Sequence, residues 1–383
     1  MTIFSSPTFL AYARPTRERI GMEFLRDRSN SGASVPGFVY SLAKASPAQA
    51  ASVAKNLTPA APVTLYSPDI DLLPHTKKPA RPVYPFTLTA NIPAADASAA
   101  KAAGWLQDVT RAQLELGASA IITPALVLGP THGETELRQV LAWATRAQQT
   151  PEAQRESFLT GLTLDRDWVR KATKRELLLN TLTDSEDEAF YIVVRWASPA
   201  KGDQQLADEE GLAGLSEIAD VLRGDEREVV FARTGLAGWM LVSLGASAFS
   251  ASPYPAHVFR DPVTFARKKG SPSIPRVPQY LDRRLLSYVP FARMNAVDQI
   301  SGIAHCPCPD CAELSAGYKD SPAFRHYLGA LTDLTERTAT TSNPRAYALR
   351  EVKTAQALLA SNPDLNLPVR TTAHLPVWET LLA

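Results

Sequence analysis

Three features of the chain predict a (β/α)8 TIM-type barrel followed by a C-terminal zinc-binding helical subdomain. Short, nearly continuous apolar runs alternate with helix-patterned stretches over residues 37–249, as expected of parallel strands covered by helices. Eight such runs can be read, the number that closes a (β/α)8 barrel. All three cysteines fall within His305-Cys306-Pro307-Cys308-Pro309-Asp310-Cys311. The expected division is a barrel over 1–255, a basic connection over 256–304, a zinc-binding helical subdomain over 305–361 and a tail over 362–383. An open doubly wound sheet is the alternative, because the first two runs are short.

The runs are justified in order. Gly37-Phe38-Val39-Tyr40 follows a polar, arginine-rich opening over 14–28. Val63-Thr64-Leu65-Tyr66 ends in Ser67-Pro68-Asp69. Phe86-Thr87-Leu88-Thr89-Ala90 ends in Asn91. Residues 118–123, 158–164, 190–194, 228–232 and 246–249 complete the set and end at Pro124, Asp165, Arg195, Arg233 and Ser250. Between them lie helical patterns. Ser46 and Pro47 open one as N-cap and first helical residue. Residues 94–116 form another, with Leu106, Val109 and Leu114 on its apolar face. Residues 134–148 place Leu137, Val140, Leu141 and Ala144 at i, i+3, i+4, i+7. Residues 166–182, 206–222 and 236–244 follow the same rule. Beyond the barrel, 322–338 and 344–360 read as helices, and 377–382 keeps a short apolar pattern.

Composition limits the functional classes. The chain has 383 residues, 45% hydrophobic and 21% charged, with a formal net charge of +1. It can bury a core, and it has no global basic bias, so a nucleic-acid surface would have to be a local patch. No apolar run approaches a membrane span. Met1-Thr2-Ile3-Phe4 shows no secretory pattern, and clustered cysteines suit a reducing compartment, so a cytoplasmic protein without membrane contact is expected.

Barrel chemistry collects at the C-terminal ends of the strands. Those ends supply Asp69, Asn91, Thr123, Asp165, Arg195, Arg233 and Ser250. Converging guanidiniums of Arg195 and Arg233 would bind a carboxylate, a phosphate or the polar edge of a base. Asp69 or Asp165 would act as the carboxylate. The blander alternatives are a turn residue after Pro68 and an N-cap before Arg166-Asp167-Trp168. Arg267, Lys268, Lys269, Arg283 and Arg284 form a basic stretch between the last strand and the cysteines. That stretch is either a phosphate-backbone contact or a solvated loop.

The C-x-C-x-x-C spacing lets Cys306, Cys308 and Cys311 reach one soft cation, with Zn²⁺ the usual choice. His305 adjoins Cys306 too closely for easy joint chelation. His326, on the helix that follows, is the expected fourth ligand. Four protein ligands leave no open position, so such a zinc is structural.

The cysteine motif and Leu244-Gly245-Ala246-Ser247-Ala248-Phe249-Ser250-Ala251-Ser252-Pro253-Tyr254 together resemble the tRNA-guanine transglycosylase family. Its last strand carries a Leu-Gly-x-Asp-x-Phe-Asp-Ser-x-x-Tyr pattern. The resemblance covers roughly residues 230–345 and implies a (β/α)8 barrel, a zinc subdomain and base exchange on a nucleic acid. Ser250 stands at the position that the resemblance assigns to a nucleophilic aspartate, and Ser247 replaces the other aspartate. The family's Asp-Ser-Gly-Gly-Phe-Gln segment is absent. At the family's distance for the zinc histidine, this chain has Thr341-Ser342-Asn343.

Three functions follow as expectations. The first is a glycosyltransferase (pentosyltransferase) acting on a base or N-glycosidic bond in tRNA or DNA. The second is a paralogue without activity that binds nucleic acid or pairs with an active subunit, as a homodimer or a heteromer. The third is an unrelated barrel enzyme for a small anionic substrate.

Overall fold

The computed structural model describes residues 2–15, 18–43, 45–57, 60–70, 83–88, 91–94, 97–153, 156–196, 205–252, 258, 278–300, 306 and 308–383. Its centre is a parallel sheet: β1 (Thr8–Ala13), β2 (Gly37–Ser41), β3 (Thr64–Ser67), β4 (Ile121–Ile122), β5 (Val127–Leu128), β6 (Phe158–Asp165), β7 (Ala189–Arg195), β8 (Glu228–Ala232) and β9 (Ala248–Ala251). The strand order is β3-β2-β1-β9-β8-β7-β6-β4, and β5 also pairs with β6. β4 and β5 are thus two pieces of one strand position, interrupted at Pro124, so the barrel has eight positions. Its two edges meet, since the Ser119 amide donates to the Thr64 carbonyl at 2.8 Å and the Thr64 amide donates to the Ser119 hydroxyl at 2.9 Å.

Side-chain alternation follows from the pleat. Leu10, Tyr12, Val39, Leu65, Ile122, Leu159, Tyr191, Val193, Val230 and Ala248 form one interior cluster to which all eight positions contribute. That is the filled centre of a closed barrel, and the open doubly wound alternative falls with it. Phe9, Phe38, Tyr66, Leu162, Ile192, Phe231 and Phe249 belong to a second cluster, shared with the helices outside. Phe4 joins the interior group, and the amides of Ile3 and Phe4 both donate to the Glu228 carboxylate at 2.8 Å.

The helices that cover the barrel are α1 (Glu18–Asn30), α2 (Pro47–Leu57), α3 (Ala99–Glu115), α4 (Glu134–Gln148), α5 (Asp167–Arg170), α6 (Ala172–Thr183), α7 (Glu209–Gly224) and α8 (Ala237–Ser243). Ser46 caps α2 through the Gln49 amide, and Ser98 and Asp208 cap α3 and α7.

Beyond β9 come a hairpin, β10 (Gln279–Asp282) with β11 (Ser287–Pro290), and then α9 (Met294–Asp298), α10 (Pro309–Ser315), α11 (Asp320–Thr340), α12 (Pro344–Ser361), α13 (Val369–Thr372) and α14 (His374–Leu382). α11 packs on β1, α1 and α8, and the Trp239 indole donates to Thr338 at 2.8 Å. α11 therefore closes the helical ring between β9 and β1. The hairpin and the cysteine segment are inserted into that last crossover.

Two strand expectations change. Thr8–Ala13 is a central strand although it lies just before the arginine-rich opening, which itself forms α1. Residues 86–88 are not a strand: Pro85–Thr87 is a 3-10 turn. Pro85 pre-sets its first dihedral, Thr87 Oγ1 donates to the Tyr84 carbonyl, and the Trp105 indole donates to the Phe86 carbonyl, so the polar groups bond locally. Residues 89–90 of that run lie outside the described residues. The hairpin also occupies part of what read as irregular connection.

At Gly161 the neighbouring strand segment leaves no space for a side chain. A Cβ there would stand 2.1 Å from the Thr123 carbonyl oxygen, beside the point where Pro124 interrupts the strand. Gly161→Ala is expected to lower stability by about 1–3 kcal/mol through forced displacement, read as the midpoint shift in urea unfolding.

His374 is 1% exposed, and its Nε2 contacts the Leu286 carbonyl at 2.8 Å. Burial lowers its pKa to about 4, against a partial upward pull from that hydrogen bond. Above pH 6.5 neither state carries the proton. Between pH 6.5 and 4 the unfolded chain takes up a proton that the folded chain refuses, so stability falls as pH falls. The loss is roughly 3 kcal/mol at most and levels off below about pH 4. His374→Gln should flatten this part of the stability–pH curve in chemical denaturation.

Candidate metal centre and barrel mouth

α10 begins at the cysteine motif because Cys308 takes extended backbone and Pro309 occupies the first turn. The Cys308 sulfur accepts the Cys311 amide at 3.4 Å, so one helical turn places both sulfurs on one side. α11 brings His326 to them. Its Nδ1 lies 3.8 Å from Cys306 Sγ and 3.3 Å from both Cys308 Sγ and Cys311 Sγ. All four ligand atoms fall within 4.8 Å of one another.

His326 Nε2 stands 2.7 Å from the Leu281 carbonyl of β10. A carbonyl can only accept, so Nε2 carries a proton and Nδ1 is the ring nitrogen that faces the sulfurs. Arg325 ties the same two helices together by donating to Asp310 at 2.7 Å and Glu313 at 3.2 Å. The four groups perturb one another strongly. Hydrogen bonds from Cys308 and Cys311 drive the Cys306 thiol far down, and the neighbouring thiols drive Cys311 far up. Burial would lower the His326 pKa, but the sulfurs of Cys306 and Cys308 outweigh it and raise the pKa to about 10. A bound cation would remove this crowding of donors. Cys306, Cys308, Cys311 and His326 can therefore form a metal site, with His326 in the fourth place expected of it.

At the other candidate locus, the strand ends converge in part. Asp69, after β3, and Arg233, after β8, form an ion pair at 3.3 Å with both side chains 1% exposed. Tyr12 donates to Asp69 Oδ2 at 2.7 Å, and Ser67 donates to Asp69 Oδ1 at 2.9 Å. Arg14 Nε reaches the Tyr12 oxygen at 3.4 Å. Both ion-pair residues have left-handed backbones, φ 47° at Asp69 and φ 62° at Arg233, a conformation unfavourable for residues with a Cβ and tolerated where surrounding contacts impose it. Ser250 imposes it at Arg233: its Oγ accepts the Arg233 amide at 2.9 Å, and its carbonyl accepts the Thr234 amide. Burial, and then the Asp69 charge, push the Tyr191 phenol well up. The cavity beside Asp69, bounded by Thr123, Gly161 and Tyr191 among others, measures about 20 Å³.

The other expected residues lie differently. Asp165 ends β6, is half-buried, and accepts the Asp167 amide at 3.1 Å, a local turn bond just before α5, whose N-cap position is Arg166 and not Asp165 as the capping alternative had it. Arg195 stands opposite it in register at the end of β7. Asn91 is exposed and donates to the Pro85 carbonyl at 2.8 Å, as part of a turn and not of a strand end. Ser250 is wholly buried, with its hydroxyl engaged by backbone. Arg284 binds Asp282 at 2.6 Å and Asp298 at 3.2 Å, and Arg283 lies 3.7 Å from Asp333, so these two charges are balanced by carboxylates. Arg267, Lys268 and Lys269 lie outside the described residues. Tyr12 and Arg14 were missing from the expected set. Their signal was the apolar run Phe9-Leu10-Ala11-Tyr12-Ala13 between Pro7 and Arg14.

No family model matches the chain, and no curated protein matches it. Among solved structures, it is similar to a protein described as a fructose-1,6-biphosphate aldolase from Coccidioides immitis. That match has 10% identity, a TM-score of 0.33 and covers 88% of each chain. A likeness at that level carries no argument about activity. No described helix is long and apolar enough to cross a membrane.

Asp69→Asn should destabilise the protein by about 3–5 kcal/mol, because Arg233 would keep a buried charge without its counter-ion. The double variant Asp69→Asn with Arg233→Met should recover more than half of that loss. Urea unfolding of the two variants measures the difference.

Proposed function

We propose that this protein is a barrel of the tRNA-guanine transglycosylase type, acting at an N-glycosidic bond of a nucleic acid, with a structural zinc in its last crossover. The observation that carries the reading is the place of the Cys3His group, inserted between the last strand and the helix that closes the ring. A tetrahedral zinc with bonds of about 2.3 Å to sulfur and 2.0 Å to nitrogen requires sulfur–nitrogen separations of about 3.5 Å. The distances of 3.3, 3.3 and 3.8 Å bracket that value. Cys306, Cys308, Cys311 and His326 would hold the ion, which supplies folding energy and no reaction step.

The carboxylate of the reaction is then Asp69. Ser250 is fully buried, its Oγ accepts a backbone amide, and among the described residues no histidine stands beside it as a base, so it is not the reacting group of this reading. Asp69 sits at the barrel mouth with Tyr12, Ser67 and Arg233 fixing both of its oxygens. A carboxylate so held can stabilise positive charge developing at the sugar carbon as the base departs. Arg233 would turn to the polar edge of the base or to a phosphate once substrate separates the pair.

A second reading, a barrel that binds but does not react, is favoured by the roughly 20 Å³ cavity beside Asp69, which has no room for a base. A base-incorporation assay with labelled guanine on tRNA and on duplex DNA, run beside a gel shift, separates the two. Exchange that Asp69→Asn reduces by at least about a hundredfold in a variant of unchanged circular dichroism is the expected result. Binding without exchange supports the second reading, and neither binding nor exchange at low salt refutes both. One zinc per chain by metal analysis, falling below one in Cys308→Ser and His326→Ala, is expected for the metal centre.

A further inference from the structure

The Cys3His group stands on the wall of a cleft and not inside the core. A cavity of about 790 Å³ opens between α1, the β10–β11 hairpin, α10 and α11, and Cys306, Cys308, Cys311 and His326 all line it. The three sulfurs are not equally placed. Cys306 is exposed, Cys308 and Cys311 are half-buried, and His326 is buried. Cys306 Sγ is also the sulfur farthest from His326 Nδ1, at 3.8 Å against 3.3 Å for each of the other two. Both observations single out the same residue as the ligand that solvent reaches first.

A metal site fixes the form of that ligand. Zinc is held by thiolates, and the thiolate is the nucleophilic form of cysteine. A ligand sulfur open to solvent is therefore already in its reactive form. Reversible oxidation also needs a second sulfur within reach. The ligand atoms of Cys306, Cys308 and Cys311 lie within 4.8 Å of one another, so a bridge of about 2.05 Å needs sulfur movements of less than about 3 Å. These three are all the cysteines of the chain, so no other thiol competes for the bridge.

The surrounding contacts confine the consequences to one helix. α11 is anchored without the sulfurs: Tyr327, Leu328 and Leu331 pack into the core outside the barrel, and the Trp239 indole donates to Thr338. The short α10 is held by Leu314, by the ion pairs of Arg325 with Asp310 and Glu313, and by the sulfurs. Loss of the ion loosens α10 from His326 and leaves the barrel closed.

We propose that Cys306 is an oxidation site for a hydroperoxide, and that its oxidation opens the metal centre. The Cys306 thiolate attacks one peroxide oxygen, the O–O bond breaks, and the other oxygen leaves as hydroxide, giving a sulfenic acid. The thiolate of Cys308 or Cys311 then attacks the Cys306 sulfur. The S–S bond forms, and the S–O bond breaks with loss of a second hydroxide. Two thiolates give up two electrons, and one hydrogen peroxide is reduced to two hydroxides. The ion leaves because two of its four ligands are no longer thiolates. A dithiol reductant reverses the bridge. This inference rests on the metal reading of the Cys3His group and not on the activity proposed at Asp69.

The test uses the full, zinc-loaded chain with hydrogen peroxide as probe, and metal analysis before treatment reads the metal centre separately. A chromophoric chelator should detect about one zinc released per chain, with overall circular dichroism unchanged. Peptide mapping after free thiols are blocked should find Cys306 in the disulfide, and dithiothreitol with added zinc should restore the metal. Limiting N-ethylmaleimide on the untreated chain should label Cys306 at least about fivefold faster than Cys308 or Cys311. Zinc retained while peroxide is consumed, a Cys308–Cys311 bridge with Cys306 still reduced, or equal labelling of the three cysteines would overturn the proposal and leave the metal reading standing. A chain that binds no zinc before treatment overturns both.

Discussion

The closing of the parallel sheet on itself governs the rest of this molecule. A parallel sheet needs cover on both faces, and here the inner face is covered by its own residues. Leu10, Tyr12, Leu65, Ile122 and Tyr191 meet at the centre, and the seam between β3 and β4 is held by Thr64 and Ser119. That seam has no strand ladder, so the interior packing and the outer helices must hold the edges together. Because the ring closes, residues far apart in the chain are forced to one end of it. Tyr12, Asp69, Arg233 and Ser250 are neighbours for that reason.

The mouth that results is unusual for an open active site. Asp69 and Arg233 are paired out of solvent, and both adopt left-handed backbone. A surface pair would be worth little; a buried one is costly to form and costly to break on one side only. Ser250, which family resemblance placed as a reacting group, here shapes the backbone of Arg233. The buried polar groups of the mouth therefore come from the ends of β3 and β8, with β1 supplying Tyr12.

Two features lie side by side in the last crossover. The Cys3His group fastens α10 to α11 and, through Leu281, to the β10–β11 hairpin. A cleft of about 790 Å³ beside it is lined by carboxylates and arginines that largely pair with one another. Arg283 and Arg284, read as a basic stretch, are drawn inward by Asp282, Asp298 and Asp333. A run of charge in a chain has no sign as a surface until the opposing carboxylates are placed.

Much of this was legible in the chain. Periodicity located α2, α3, α4, α7, α8, α11 and α12, and Ser46 was rightly read as a cap, because helix faces and caps are local properties. The C-x-C-x-x-C spacing and a histidine one helix later were enough to name the four residues that cluster as a possible metal site, since chelation constrains spacing directly. The strand count of eight was right, but its membership was not: Thr8–Ala13 belongs to it and residues 86–88 do not. Short apolar runs look alike whether they form a ladder or a turn, and only pairing partners tell them apart. The tertiary structure alone decided that Asp69 meets Arg233, that Ser250 serves the backbone and that Tyr12 joins the mouth. Each of these depends on contacts between strands brought together by closure, a long-range event that residue order does not display.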